Sequence, residues 1–318
     1  MGLYCTDIKL QGGEIKYSVE VLKTVSDEDL VSCLVFLGKD AIDFQEGKYI
    51  WDRLIQMYEG VANIPENDLQ QLGWIARSIP VKDIANLTIG DIDTIAAFGQ
   101  YHNLSHAQLQ ALAEQVRDDW ASKEPTDYTF YDLMALKHIL CGFNRTAIET
   151  IHPDSYKEAA SVLATLQNCG REPLQALAEL AVNDDAFGDP STWHSSQVKS
   201  VGCVLNGLSR EDISRIPPEG IESLTPDIIP CLERETLRSM SSEQLLHLTP
   251  SAAATMTHEQ RSGLSGDQRR AVDQAYEGKP SGPLLLNSGS SKTNFRYLAT
   301  VVPSLISVRY STSIYQCP

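Results

Sequence analysis

The sequence predicts an all-α fold, a solenoid of short stacked helices followed by a poorly structured C-terminal tail, and two observations carry that prediction. The first is an eight-residue period, in which an apolar residue returns at Leu208, Ile216, Leu224, Leu232, Met240, Leu248, Met256, Leu264 and Val272. A second apolar row follows five positions after most of these anchors, at Ile213, Ile221, Ile229, Leu237, Leu245 and Ala253, and is broken only by Arg261 and Arg269. Each unit therefore carries an i, i+3 apolar pair suited to one helical face. The second observation is the residue after the anchor: Ser209, Thr225, Ser241, Thr249, Thr257 and Ser265 each offer a side-chain oxygen to the orphan N–H groups of a helix start.

The phase of each unit is fixed by capping chemistry. Ser241 with Gln244, Thr257 with Gln260, and Ser265 with Gln268 form S/T-x-x-Q capping boxes, and Ser209 with Asp212 is a weaker version. Pro218, Pro226 and Pro250 fall two positions after an anchor, where a missing N–H costs nothing. One continuous helix is excluded by geometry, because at about 100° per residue eight residues overshoot two turns by about 80° and the anchors would wander round the cylinder. Helices this short are marginal alone and must bury their apolar pairs against neighbouring units.

The same grammar runs upstream. It begins at Val25-Ser26 with Leu30 in the second slot, and recurs at Ile64-Pro65, Ile79-Pro80, Leu87-Thr88 and Leu104-Ser105. Between these units, residues 50–58, 105–120, 131–140, 155–166 and 173–182 read as longer amphipathic helices. Asp189-Pro190 opens a further turn before Trp193. We divide the chain into an α-solenoid over 1–275, with its octad array at 208–272, and a flexible Gly/Ser/Pro linker and tail over 276–318.

Composition narrows the function class. The chain has 318 residues, is 42% hydrophobic and carries a formal charge of −16 from 26 basic and 42 acidic side chains. That length and apolar content suffice for a packed core. The acidity, with no basic run to offset it, opposes nucleic-acid backbones and anionic lipid surfaces. No apolar run reaches the 18 residues of a membrane-spanning helix, and Met1 to Lys9 shows no charged segment leading into an apolar one.

Six of the seven cysteines share one spacing: Cys5 and Cys33, Cys141 and Cys169, and Cys203 and Cys231 are each 28 apart, with Cys317 left over. Two arrangements fit. One is three disulfides in an oxidising compartment, each worth about 3–4 kcal/mol in the chain-entropy picture; the other is buried free thiols repeated with the solenoid. We adopt the first. Asn144 and Asn206 each lie three residues after a cysteine, so the second and third pairs read as copies of one block. Three N-x-[ST] sequons, at Asn86, Asn103 and Asn144, suit a glycosylated surface.

Catalytic motifs fail on chemistry. His102 and His106 have the i, i+4 spacing of a zinc protease, but Asn103 follows where that motif places its glutamate base, and no third ligand is evident. The run Gly289-Ser290-Ser291-Lys292-Thr293 lacks the glycines of a phosphate cradle. The chain reads as a non-enzyme without cofactor or metal.

Trp193, the segment Cys203-Val204-Leu205-Asn206-Gly207-Leu208-Ser209, Ile216-Pro217-Pro218-Glu219, the octads to Val272 and the Cys141-Gly142-Phe143 block together resemble the mesothelin, otoancorin and stereocilin family. The resemblance covers roughly 64–276. It implies an armadillo-like superhelix in an N-glycosylated surface protein, usually GPI-anchored. It also implies adhesion between cells, or between cells and extracellular gels such as those of the inner ear, through a protein or glycoprotein partner. The absent leader-like segment and the tail after Lys279 depart from that pattern. A second reading of the same residues is an intracellular α-solenoid scaffold with a protein partner, and the redox state of the cysteines separates the two.

Overall fold

A computed structural model describes residues 4–10, 17–101, 103–120 and 123–278. The chain divides into two units, Met1–Ser281 and Gly282–Pro318. The second unit, and with it nearly all of the expected tail, lies outside the described residues. Among those residues every regular element is a helix, α or 3-10.

The first unit opens with α1 (Cys5–Leu10), α2 (Val19–Leu22), α3 (Asp27–Ser32), α4 (Leu34–Leu37) and α5 (Phe44–Met57). It continues through α6 (Glu66–Leu69), α7 (Val81–Ile84), α8 (Ile92–Gly99), α9 (His106–Asp119), α10 (Phe130–Leu136), α11 (Arg145–Glu149), α12 (Pro153–Leu163), α13 (Arg171–Ala181) and α14 (Ser195–Val201). The octad array supplies α15 (Arg210–Arg215), α16 (Pro218–Ile221), α17 (Arg234–Ser239), α18 (Ser242–Leu246), α19 (Pro250–Thr255), α20 (His258–Ser262) and α21 (Gly266–Tyr276).

Packing follows two rows. In one, α6, α8, α10, α12, α14, α16, α18 and α21 each contact the next member. In the other, α7 packs on α9, α9 on the 3-10 segment Lys137–Gly142, α11 on α13, α13 on the 3-10 segment Gly202–Gly207, α15 on α17, and α17 on α20. Each short helix thus buries its apolar pair against a neighbouring layer instead of holding itself together.

The octad rows form the core. All anchors from Ile216 to Val272 and all six members of the second row are buried, while Leu208 is partly buried against them. Arg261 breaks the second row by turning outward, its Nη1 meeting Asp273 Oδ1 at 2.7 Å. Five of the expected caps bond as anticipated, Ser209, Ser241, Thr249, Thr257 and Ser265 each accepting from the backbone N–H three residues on. Thr225 is different. It starts a turn, with Ile228 and Ile229 N–H donating to its carbonyl oxygen, and no α-helix follows, because Pro230 has no N–H with which to continue one. Upstream, α8 is capped by Asp91, whose side chain accepts from Asp93 N–H, and not by Thr88.

The capping glutamines also join the layers. Gln244 accepts the Ser241 N–H at 2.7 Å on Oε1, while its Nε2 donates to the carbonyl oxygens of Ile213 and Ile216 at 2.8 and 2.7 Å. Gln268 repeats this on Arg238 and Met240, and Gln108 on Arg77 and Ile79. These carbonyls close earlier helical turns, where four acceptors lack intrahelical partners. One amide therefore satisfies the start of one helix and the end of another 28 to 31 residues earlier.

One helical expectation needs revision: residues 131–140 are not a single helix. The α-helix stops at Leu136, and Lys137 takes φ +36° and ψ −107° before the chain re-enters as the 3-10 segment. Gly73 and Gly202 occupy the same place at the heads of the 3-10 segments Gly73–Ser78 and Gly202–Gly207, both at φ +51°. The three breaks, 64 and 65 residues apart by their numbering, mark a longer period laid over the octads. At two of them the following N–H crosses to an earlier layer, Trp74 to Gly38 and Cys203 to Ala164, each at 2.7 Å.

Candidate functional site

The cysteines sit where layers meet. Cys5 is bonded to Cys33, Cys141 to Cys169 and Cys203 to Cys231, with Cα separations of 5.5, 4.8 and 5.7 Å. Cys317 lies outside the described residues. In the second and third bonds the first cysteine is wholly buried in a 3-10 segment and its partner is half-buried, Cys169 ahead of α13 and Cys231 at the end of the 3-10 turn Ile229–Cys231.

The two blocks do not superpose in the frame that the cysteines suggest. Aligning the segment heads Lys137 and Gly202 pairs Gly142 with Gly207, each of which leaves no room for a Cβ against the backbone of α9 or α13, at Leu109 and Leu174. It also pairs Asn144 with Ser209, and both are N-caps, of α11 and α15. Cys141 is then the fifth residue of its segment and Cys203 the second. Because a 3-10 helix has three residues per turn, positions two and five share a face, so both sulfurs leave on the same side. Asn144 and Asn206 are accordingly not equivalents. Asn206 is an internal tie: its Nδ2 donates to the Cys231 carbonyl oxygen at 2.9 Å, and its Oδ1 accepts from Glu233 N–H and Thr236 Oγ1, both at 2.8 Å.

The three sequon asparagines are separated along the unit. Asn86 is exposed in the turn after α7 and donates from Nδ2 to the Lys82 carbonyl oxygen at 2.8 Å. Asn144 is exposed, with Oδ1 taken by Ala147 N–H at 2.8 Å in its capping role. Asn103 is half-buried and forms part of a pocket wall.

The concavities formed by the described residues include two that bring together groups that a ligand or a protruding side chain could use. One, of about 320 Å³, combines His106, Arg117 and Arg171 with Glu114, Glu172 and Asn144, so its charges are mixed. The other, of about 440 Å³, is lined by Trp74, Tyr101, Gln70, Gln71, Gln100 and Asn103, among others. His102, four residues before His106, lies outside the described residues. No helix among the described residues is long and apolar enough to cross a membrane.

These features define a class: an all-helical protein of short stacked helices, clamped between layers by disulfides and by capping amides. Within that class the chain is similar to human otoancorin, at 25% identity over 271 residues, which is 85% of this chain and 23% of otoancorin. It is likewise similar to mouse otoancorin, at 26% identity over 271 residues and 24% of that protein, and to human stereocilin, at 27% over 257 residues, 80% of this chain and 14% of stereocilin. The chain thus spans about a quarter of the length of otoancorin and about a seventh of stereocilin. No family model matches the sequence.

Proposed function

We propose that this chain is an extracellular, non-enzymatic adhesion module of the mesothelin, otoancorin and stereocilin type. In this reading its layers form an armadillo-like superhelical solenoid whose lateral surface binds a protein or glycoprotein partner at the cell surface. Asn86, Asn103 and Asn144 carry N-glycans in this reading.

The observation that carries the proposal is the set of three disulfides placed between layers. Thiols in the cytosol are kept reduced, so bonds that close 28-residue intervals in the core of a repeat array belong to an oxidising compartment. The similarity to otoancorin and stereocilin over 80% or more of the chain supports the same reading. The charge of −16 disfavours nucleic acid as the partner.

The test has two parts. Intact mass with and without reduction and alkylation, on the chain secreted behind a heterologous leader, should show at least three disulfides; seven free thiols would favour an intracellular scaffold instead. Beads coated with the secreted chain should then bind cells or extracellular gel, and lose that binding after reduction. Beads that bind neither would end the adhesion reading.

A further inference from the structure

A groove of about 380 Å³ lies along α13, and its frame repeats one found a layer earlier. Gln175, Ala178 and Glu179 line it from α13, with Gly207 and Ser209 on the opposite wall. Subtracting the 65 residues that separate Lys137 from Gly202 gives Gln110, Ala113, Glu114, Gly142 and Asn144, and all five line the 320 Å³ concavity on α9. The two copies differ in charge. In the first, Glu114 and Glu172 form no ion pair among the described residues, and neither do Arg117 and Arg171. Pro80 stands 65 residues before Arg145, so Glu114 lacks the arginine that its counterpart has.

In the second copy the carboxylates are committed. Glu179 Oε1 accepts from Arg145 Nη2, which reaches the groove from the first residue of α11. Asp212 takes the Ser209 hydroxyl on Oδ2 at 2.6 Å, and its Oδ1 faces Arg215 Nη1 at 3.5 Å. Arg171 and Arg210 also line this groove, are exposed, and form no ion pair among the described residues. Most arginines of those residues do pair with a carboxylate. The chain has 42 acidic side chains against 26 basic ones, so two unpaired guanidinium groups in one groove run against its composition. Glu172 and Glu211 follow these arginines in sequence but are not part of the groove wall.

The rest of the wall is apolar or amide. Ala178 is 2% exposed, Val182 and Leu208 are half-buried, and the half-buried Gln175 brings a donor and an acceptor together. A guanidinium fork matches a carboxylate, and an amide beside an apolar floor matches a peptide group with a small side chain. An extended chain turns successive side chains to opposite sides, so acidic residues at alternate positions face the arginines while the others face the floor. A densely sulfated polysaccharide offers nothing apolar to Ala178, Val182 and Leu208 and meets the full field of a −16 chain. We infer that this groove seats an extended acidic peptide segment of a partner protein, with its carboxylates on Arg171 and Arg210 and its backbone on Gln175. The inference rests on the proposed binding of a protein partner by the lateral surface. Ser209 stands here in place of Asn144, so the sequon belongs to the other copy's wall.

Fluorescence anisotropy on the secreted full chain tests this, with a fluorescein-labelled octapeptide of alternating Glu and Ala as the probe. The probe should bind, and the same peptide with Gln for Glu should not. Arg171→Gln and Arg210→Gln should each weaken binding about tenfold, the loss of one charge-assisted pair, and leave the melting temperature unchanged. Arg210→Lys should recover part of the loss. Glu179→Gln releases Arg145 into the groove and should tighten binding about threefold, a gain that a damaged fold would not give. Arg117→Gln, in the other copy, should bind as the parent does. Absence of binding, or binding indifferent to both arginines, overturns the inference. Tighter, Arg210-dependent capture of a heparin octasaccharide overturns the peptide and assigns the groove to a sulfated polysaccharide. Coated beads separate the two ways of failing. Arg210-dependent peptide binding by a chain whose beads hold neither cells nor gel overturns the adhesion reading alone. Beads that hold cells equally well when they carry the Arg171→Gln, Arg210→Gln chain overturn the groove as the partner's seat and leave adhesion standing.

Discussion

Gln260 and Leu232 are bonded across a layer boundary: the Gln260 Nε2 donates to the Leu232 carbonyl oxygen at 2.7 Å, from 28 residues further along the chain. The same Nε2 donates to Ile229 at 2.9 Å, and Oε1 accepts the Thr257 N–H at 2.8 Å. Replacing Gln260 with Ala strands the Leu232 carbonyl oxygen and a cap donor, while Ile229 keeps the Leu232 N–H on its carbonyl oxygen, and should cost about 3 kcal/mol in urea denaturation. Gln260→Glu keeps the cap acceptor but points a carboxylate at the two carbonyls. Its folded pKa is then raised, so the damage should be greatest at neutral pH and recede in acid as the carboxyl protonates.

The octad rows make a contrast between neighbours in sequence. Leu232 is 2% exposed, and Leu232→Ala should cost about 2–5 kcal/mol. Glu243 is exposed, and Glu243→Ala should change stability by less than about 0.5 kcal/mol. Equal effects on the denaturation midpoint would contradict the assignment of the anchors to the core.

Lys137 holds a left-handed conformation that Gly73 and Gly202 adopt at the equivalent breaks. Lys137→Gly should therefore stabilise the chain by about 1 kcal/mol, the order of strain such a residue carries. Gly202→Ala should do the reverse and strongly, since its Cβ would stand 2.7 Å from the Ala164 Cβ as well as requiring positive φ. Thermal melting of the two variants should move in opposite directions.

Asp189 gives the unit an acid-side dependence. Hydrogen bonds from the Ser191 side chain and N–H, and then the Arg215 guanidinium, hold its carboxyl down to about 2, from an ordinary 3.8. A carboxyl depressed on folding contributes stability that is fully present above its unfolded value and is lost as pH falls through its folded value. The midpoint should therefore drop between about pH 4 and pH 2. Asp189→Asn should flatten that part of the profile, and an unchanged profile would show that the carboxylate does not couple to folding.

Removing both Cys203 and Cys231 as serines should cost about 3–4 kcal/mol on the chain-entropy estimate for a bond closing 28 residues. Non-reducing peptide mapping should recover Cys203–Cys231 and Cys141–Cys169 peptides. A Cys169–Cys203 peptide would contradict the observed connectivity.

The sequence by itself determined the local grammar of this protein. An apolar anchor every eighth residue, with an oxygen-bearing cap beside it, dictates short helices that bury their pairs, because neither the period nor the capping chemistry permits one long helix. It also placed the six cysteines at one interval. What it did not reveal was how units meet. That Gln260 serves Leu232 as well as Thr257 depends on two segments 28 residues apart being brought side by side, and a capping box reads the same whether its glutamine Nε2 faces water or a carbonyl. The breaks at Gly73, Lys137 and Gly202 were hidden for the same reason: at Gly73 and Gly202 positive φ goes with the close approach of earlier backbone, and a lysine gives no local sign of such a break. The true frame between the two cysteine blocks followed from those breaks and not from the cysteines, since a 3-10 turn lets a three-residue shift preserve the face a sulfur occupies. Trp74, Tyr101 and Asn103 likewise acquire their common pocket from the stacking of three layers. Helix starts and buried faces are decided within a few residues, whereas contacts between layers are decided by the stack.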